Sequence, residues 1–107
     1  NAAPVITSNG GGATAGVSVS GGTTAVTTVT AADPDAGQTL SYAITGGTDA
    51  AKFQINAAAG VLSFIAAPDF SAPGDVGADN TYDVVVQVSD GAGGVDSQAI
   101  AVTVTAP

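Results

Sequence analysis

Several residue types are missing from this chain, and their absence limits the chemistry it can perform. The 107 residues include no Cys, His, Met, Trp, Arg or Glu, and only one Lys. Without Cys the chain can form neither a disulfide nor a thiolate metal site. Without His or Cys it also lacks the pairs that activate a serine or cysteine nucleophile. We therefore expect a protein that is not an enzyme. No run of 18 apolar residues is present, so we expect no direct membrane insertion.

The charge of the chain is almost entirely negative. Nine Asp oppose a single basic residue, Lys52, and the net charge is −8 at pH 7. Nucleic acid is an unsuitable partner because phosphate binding needs a basic patch. An anionic membrane surface would repel the chain for the same reason. The charge does favour divalent cations. Lys52 lies in a polar turn and is predicted to be exposed.

The apolar residues that are present favour β-structure. They include 14 Val and 5 Ile, whose branched side chains suit a pleated, half-buried surface. The 15 Gly and 5 Pro fit many turns. No segment has convincing helical periodicity. Short alternating runs recur at a spacing of roughly 10 residues, which is typical of a β-sandwich. The sequence therefore predicts one all-β domain with about seven strands.

The two clearest strands lie in the C-terminal part of the chain and are joined by a turn at residues 90–94. Their apolar faces are predicted to consist of Tyr82, Val84, Val86 and Val88 in one strand and Ile100, Val102 and Val104 in the other. Earlier strands are predicted at residues 5–7, 17–19, 25–31, 38–45, 53–56 and 61–65. Val26 lies three residues before Val29, which predicts a β-bulge or an irregular start. Residues 8–16 are predicted to be flexible and rich in turns. The rings predicted to be in the core are Tyr42, Phe53, Phe64 and Tyr82.

Three aspartates lie where predicted strands end. Asp33 and Asp35 follow the strand at 25–31, and Asp90 follows the strand at 82–88. Short carboxylates at such junctions can converge on one end of a β-sandwich, and Ca²⁺ prefers about six to eight oxygen ligands. The structural alternative is that Asp-Pro-Asp and Asp-Gly are simply good turn sequences. The sequence by itself leaves both interpretations open.

Five segments of the chain together carry a family resemblance. They are Asn1–Ile6, Val29–Ile44, Phe53–Leu62, Pro68–Ser71 and Tyr82–Asp90. In that order they resemble D-N-A-P-V-F, V-T-A-x-D-x-D-x-G followed by Y-x-I, F-x-I-d-x-x-T-G-x-I, L-D-Y-E and Y-x-L-x-V-x-A-x-D. These motifs are similar to those of cadherin-like domains, specifically the bacterial type found as tandem repeats in large secreted, RTX-like adhesins. The resemblance covers nearly the whole chain and implies a seven-stranded Greek-key β-sandwich.

The resemblance also implies a role and a set of ligands. It implies that residues 1–107 are a single repeat excised from a longer multi-repeat protein at a bacterial surface or outside the cell. Neighbouring repeats of the same chain would join end to end, with Ca²⁺ stiffening each junction in cell adhesion or biofilm formation. Asp33, Asp35 and Asp90 match ligands at the N-terminal end of such a domain. Asn1 matches a linker ligand, and Asp69 matches a ligand at the opposite end.

Two departures from the family pattern weaken the expected metal sites. The family has a Glu near Gly21-Gly22 and another where Ser71 stands, and this chain has neither. We therefore expect a weak or partial calcium site, in the roughly millimolar range of extracellular modules. Two other functions stay open, a polysaccharide-binding module and a passive spacer that has lost calcium binding. Like domains and extracellular polysaccharide are accordingly further candidate partners.

Overall fold

The computed structural model describes residues 3–8, 11–32, 39–70, 80–91 and 93–106. Within these ranges the chain forms nine strands and a single turn of 3-10 helix at Ala50–Lys52. The strands are β1 (Val5–Ile6), β2 (Thr14–Ser20), β3 (Ala25–Thr28), β4 (Ala31–Ala32), β5 (Ser41–Gly46), β6 (Phe53–Ile55), β7 (Val61–Phe64), β8 (Thr81–Ser89) and β9 (Val95–Thr105). The predicted all-β class is confirmed.

A four-stranded sheet in the order β2-β9-β8-β5 forms one layer of the sandwich. β8 and β9 are an antiparallel hairpin whose register runs from Thr81 opposite Thr103 to Ser89 opposite Val95. β2 pairs with β9 in parallel, which is the arrangement that a crossover connection produces. The predicted alternation is confirmed in both long strands, because their apolar faces are buried.

The second layer is a three-stranded sheet in the order β3-β7-β6, with β1 and β4 as a separate short pair. The predicted irregularity is confirmed by a register shift between Ala25 and Thr27. The strand predicted at 25–31 is divided into β3, which pairs with β7, and β4, which pairs with β1. The amide of Val29 still donates to the carbonyl of Gly60 at 2.8 Å, in register with the β3–β7 ladder, and the chain changes partner after it. The β1–β4 pair lies at the end of the sandwich where the N-terminal segment enters.

The core lies between the two layers and consists mainly of branched aliphatic side chains. Its buried apolar members are Ile6, Val19, Val29, Phe53, Leu62, Phe64, Tyr82, Val84, Val86, Val88, Ile100, Val102 and Val104. Three aromatic rings pack together at one end of it. The ring of Phe64 stacks on Phe53 with centroids 4.6 Å apart and meets Tyr82 edge-on at 5.1 Å. Tyr42, the fourth predicted core ring, is only half-buried.

One part of the sequence prediction was wrong. Residues 8–16 were predicted to be flexible, but Thr14 to Gly16 form the start of β2 and pair with Ala99 to Ala101. Thr14 and Gly16 are exposed, so this stretch has little apolar pattern of its own. The strand forms because β9 offers a complete row of backbone partners, and tertiary pairing of this kind overrides weak local preference.

Gln98 is a buried polar side chain that holds the segment before β2. It is completely buried, and its Nε2 donates to the carbonyls of Ser8 at 3.2 Å and Gly12 at 2.9 Å. These two bonds connect β9 to the described residues on both sides of positions 9 and 10. Buried polar groups require such partners, because an unpaired one costs about 1–3 kcal/mol.

We expect Gln98→Leu to lower the free energy of unfolding by about 2 kcal/mol, because the carbonyls of Ser8 and Gly12 lose the Nε2 donor, although Ser8 keeps the amide of Gly11. Amide hydrogen exchange should also accelerate in β2, which the anchored segment precedes. The matched control is Gln54→Leu, since Gln54 is exposed and donates to Ser63 Oγ at 3.5 Å. Its effect should stay within about 0.5 kcal/mol. Equal losses for the two variants in chemical denaturation would contradict the anchoring role.

Candidate metal centre

Asp90 lies where the chain enters the sandwich. It follows β8 directly, and it is only 3% exposed. Its Oδ1 accepts the amide of Gly94 at 3.0 Å, and its own amide donates to the Gly94 carbonyl at 3.1 Å. A Cβ added at Gly94 would lie 2.6 Å from Asp90 Oδ2 and 2.9 Å from the Cα of Ala3. The carboxylate is therefore adjacent to the first described residues, in what we call the proximal end (residues 3–5, 90–91 and 93–96).

The remaining predicted ligands of this end lie outside the described residues. They are Asn1, Asp33 and Asp35. Ala32, the last residue of β4, pairs with Val5 of β1, so β4 ends at the proximal end. Their convergence with Asp90 stays a prediction. Among the described residues, no three Asp side chains come together as a metal site would require.

Asp96 was not predicted from the sequence, and it positions the opening strand beside Asp90. Its Oδ2 accepts the amide of Ile6 at 2.8 Å, and its Oδ1 accepts the amide of Ser97 at 3.0 Å. A signal was available in the sequence. Asp96 shares the two-residue period of Gln98 and Ile100, which places polar side chains on the inward face of a strand. Inward polar residues usually bind backbone groups of a neighbouring segment.

The opposite end of the sandwich, which we call the distal end (residues 21–22, 65–70 and 105), offers few metal ligands. Asp69 lies here and is exposed. Gly21 is buried and its amide donates to the Thr105 carbonyl at 2.9 Å. A Cβ at Gly21 would lie only 3.2 Å from the Cβ of Phe70. The turn from which the resemblance expects a Glu therefore packs tightly against the loop that carries Asp69. Ser71 lies outside the described residues.

A second acidic pair, Asp49 and Asp83, has a structural role. Asp49 is 4% exposed, and its Oδ2 accepts the amide of Asp83 at 2.9 Å and the Thr48 hydroxyl at 3.3 Å. The amide of Asp49 in turn donates to the Asp83 carbonyl at 3.0 Å. These bonds fasten the turn after β5 to β8. Asp83 itself is exposed, whereas Asp49 is buried.

The sequence and the fold were compared with known proteins. The family model described as "Cadherin domain" matches residues 17–106. Among curated proteins, none matches the chain significantly in sequence. Among solved structures, mouse cadherin-23 EC22-24 is similar with a TM-score of 0.77 and 18% identity, over 98% of this chain and 33% of that chain. Drosophila N-cadherin EC1-4 has a TM-score of 0.70 and 18% identity, over 96% of this chain and 24% of that chain.

A third similar structure is human protocadherin-24 EC1-2, with a TM-score of 0.68 and 21% identity. The match covers 98% of this chain and 45% of that chain. The chain thus spans between about a quarter and a half of the length of these three structures. At such identities the likeness concerns the fold, and it agrees with the β-sandwich described above. No helix among the described residues is long and apolar enough to cross a membrane.

Proposed function

We propose, since this chain belongs to the cadherin domain family, that it is a non-catalytic repeat of a bacterial surface or secreted protein and works in adhesion or biofilm formation. Cadherin domains are generally extracellular, structural or adhesive modules that bind calcium. The observation that carries the proposal is the buried carboxylate of Asp90 beside Ala3, at the end where a preceding repeat would attach.

The residues of the proximal end suit a divalent cation. Asp90 Oδ1 is oriented by the Gly94 amide, and the carboxylate stands next to the entering chain. In the sequence Asp33 and Asp35 come after β4 and Asn1 comes before Ala3, and the proposal has these three residues hold the ion together with Asp90. Bound Ca²⁺ would neutralise the repulsion between these carboxylates and restrict bending between repeats. Asp90 would contribute a pre-oriented ligand, and Asp96 would hold β1 in place beside it.

The distal end supports a weaker contribution. Asp69 remains a proposed ligand for the following junction, but the Gly21 turn supplies no carboxylate there. The missing carboxylate at this end supports the passive-spacer alternative, because a repeat can lose one metal site while it keeps the other. Nothing comparable favours a polysaccharide-binding module. Phe70 is the exposed aromatic side chain among the described residues, whereas sugar-binding surfaces usually present several rings.

We expect Ca²⁺ to raise the thermal unfolding midpoint of the chain. With an affinity of about 1 mM, about 5 mM CaCl₂ adds roughly 1 kcal/mol of stability relative to EDTA. For a domain of this size that corresponds to a shift of about 5 °C. Asp90→Asn should remove most of this increment, while its amide oxygen keeps an acceptor for Gly94. Differential scanning calorimetry in the two buffers measures both values.

The matched control is Asp83→Asn, which also removes one negative charge but lies on β8 away from the proximal end. Its calcium increment should equal that of the unchanged chain. A tandem protein of two copies should show a larger increment, because a neighbouring repeat adds ligands. An absent increment in both the single chain and the tandem would rule out the calcium site and leave the passive spacer.

A further inference from the structure

The first third of the chain has no charged side chain. All nine Asp and the single Lys lie within residues 33–107, so strands β1 to β4 contribute none of the side-chain charge behind the net value of −8. β2 and β3 belong to different layers and contact each other along one side of the sandwich. These two strands therefore give an otherwise acidic domain a side that carries no charge of its own.

β2 is the free edge of the larger sheet on this side. It pairs in parallel with β9 and with no other strand of the described residues. The Ala13 carbonyl accepts the amide of Ala99 at 2.8 Å. The Gly21 amide donates to the carbonyl of Thr105 at 2.9 Å. Backbone groups alternate in direction along a strand, so the odd-numbered residues of β2 bond to β9. The residues whose amides and carbonyls face the free edge are Thr14, Gly16, Ser18 and Ser20.

This edge lacks the features that usually prevent a further strand from adding. Sheet edges in natural proteins are protected by charge, Pro, a bulge or a very short length. β2 has seven residues without charge or Pro, and its register with β9 is unbroken. Of the backbone groups at its edge, the Ser20 carbonyl is the one that bonds elsewhere in the described chain, to the amide and hydroxyl of Thr23. The rest of the row is suited to a partner strand.

The opposite edge of the same sheet is protected. β5 has a register shift between Ile44 and Gly46, which interrupts its ladder with β8. The amide of Tyr42 points away from β8 and donates to the carbonyl of Ala57 at 2.9 Å. The connection between β6 and β7 therefore covers part of this edge. Of the two edges of the larger sheet, β2 is the one that can accept a strand.

A second copy of β2 is the partner that these features fit. Two domains of net charge −8 repel each other least where they meet through their uncharged sides. An antiparallel pair of β2 strands has its two-fold axis at Val17. The residues that face the edge then lie opposite one another, Thr14 with Ser20 and Gly16 with Ser18. About eight hydrogen bonds form between them, because each such pair exchanges two. The half-buried side chain of Val17 meets its own copy on the core-facing side of the sheet.

We propose that β2 pairs with β2 of a second copy, side by side, and joins the two four-stranded sheets into one continuous sheet. The contact is isologous, so it closes a dimer. It lies along the side of the domain, and it depends neither on the proposed calcium site nor on the tandem arrangement. The exposed side chains of β2 are small and bury little apolar area, so we expect a weak dimer with a Kd on the order of 0.1 mM. Added NaCl should strengthen it, because salt screens the repulsion between the two acidic domains.

The test uses the full chain in excess EDTA. Amide NMR shifts are recorded at about 20 µM and at about 1 mM, concentrations on either side of the expected Kd. Pairing predicts concentration-dependent shifts concentrated at residues 14–20 and largest for the amides that face the edge. Sedimentation equilibrium should detect the dimer at the higher concentration. Raising NaCl from about 50 mM to about 500 mM should increase the association constant about threefold.

Ser18→Pro should lower the association constant at least about 10-fold, because Pro removes an edge amide and its ring obstructs the partner strand. The Ser18 amide faces away from β9, so the domain itself should stay folded, which its thermal unfolding midpoint checks. The matched control is Ser18→Ala, which keeps the backbone amide and should change association by less than about twofold.

Ser18→Asp is a second variant that leaves every backbone bond in place. It brings two added negative charges close together across the two-fold axis, and it should also lower the association constant about 10-fold. Its control is Thr103→Asp, because Thr103 is exposed and lies opposite Ser18 on β9, one strand further from the partner. The loss for Thr103→Asp should be clearly smaller.

Three results would overturn the edge pairing. The first is a chain whose shifts do not change up to about 1 mM, ten times the expected Kd. The second is a dimer that forms equally well with Ser18→Pro. The third is a set of shifts concentrated at residues 41–46, which would assign the contact to β5, or at residues 3–5 and 65–70, which would assign it to the ends of the domain. None of these results bears on the calcium increment, because the measurements are made in EDTA.

Discussion

Phe64→Ala is expected to lower the free energy of unfolding by about 4 kcal/mol, a large part of the stability of a domain this small. Phe64 is 2% exposed and belongs to β7 in the smaller sheet. Its ring stacks on Phe53 and meets Tyr82 of the larger sheet, so it joins the two layers. Truncation would leave a cavity that the flanking strands cannot fill, because both are held by backbone pairing.

Val61→Ala provides the control on the same strand. Val61 is 44% exposed, so its truncation removes little packed area and should change stability by less than about 0.5 kcal/mol. Urea denaturation of both variants measures the difference. A loss for Phe64→Ala below about 1.5 kcal/mol would show that the aliphatic core stabilises the sandwich without the aromatic group. The distal end would then be less firmly supported than the packing indicates.

Gly60→Ala is expected to destabilise the domain by at least about 3 kcal/mol, through backbone strain combined with a steric clash. Gly60 has a φ of +73° and ends the connection between β6 and β7. A Cβ there would collide with the carbonyl oxygen of Val29. That backbone cannot move away easily, because the Val29 amide donates to the Gly60 carbonyl and Gly60 donates to Asn56 at 2.8 Å.

Gly22→Ala separates the two causes. Gly22 has a similar φ of +85°, but an added Cβ would meet nothing within 4 Å. This variant should therefore cost only the conformational penalty of about 1 kcal/mol. The difference between the two free energies of unfolding isolates the collision at Val29. Equal losses would show that the segment around Val29 shifts freely, which would contradict the close packing of Gly60 there.

The metal-binding hypothesis assigns different work to the two ends of one domain. The proximal end has an oriented carboxylate, Asp90, and a strand fastened by Asp96. The distal end has one exposed aspartate, Asp69, beside the apolar side chains of Ile65 and Phe70. In a series of such repeats the two ends meet at every junction, so an ion bound there would be held mainly by residues of the proximal end. Thermal scans of the single chain and of the tandem, in EDTA and in CaCl₂, measure this contribution.

The strand pattern and the family were accessible from the sequence because they depend on local signals. The alternation of apolar and polar residues predicted the long strands β8 and β9. The three-residue spacing between Val26 and Val29 predicted the irregularity in β3. The hairpin between β6 and β7 is also held by a local signal, because Asn56 Oδ1 accepts the amides of Ala58 and Ala59 at 2.9 Å. These features need only the alternation of side chains and the short-range bonding of Asn.

The roles of the polar residues were decided only by the tertiary structure. Gln98 and Asp96 share the inward period of β9, but nothing in the sequence shows that they hold segments about 90 residues away. The first residues of β2 have little apolar pattern, and they become a strand because β9 lies beside them. Side-chain alternation is encoded within a few neighbouring residues, whereas a buried hydrogen bond needs two distant segments to meet. The sequence by itself therefore determined the strands and the family, and the packing of those strands decided which polar side chains anchor the domain and which apolar side chains remain at its ends.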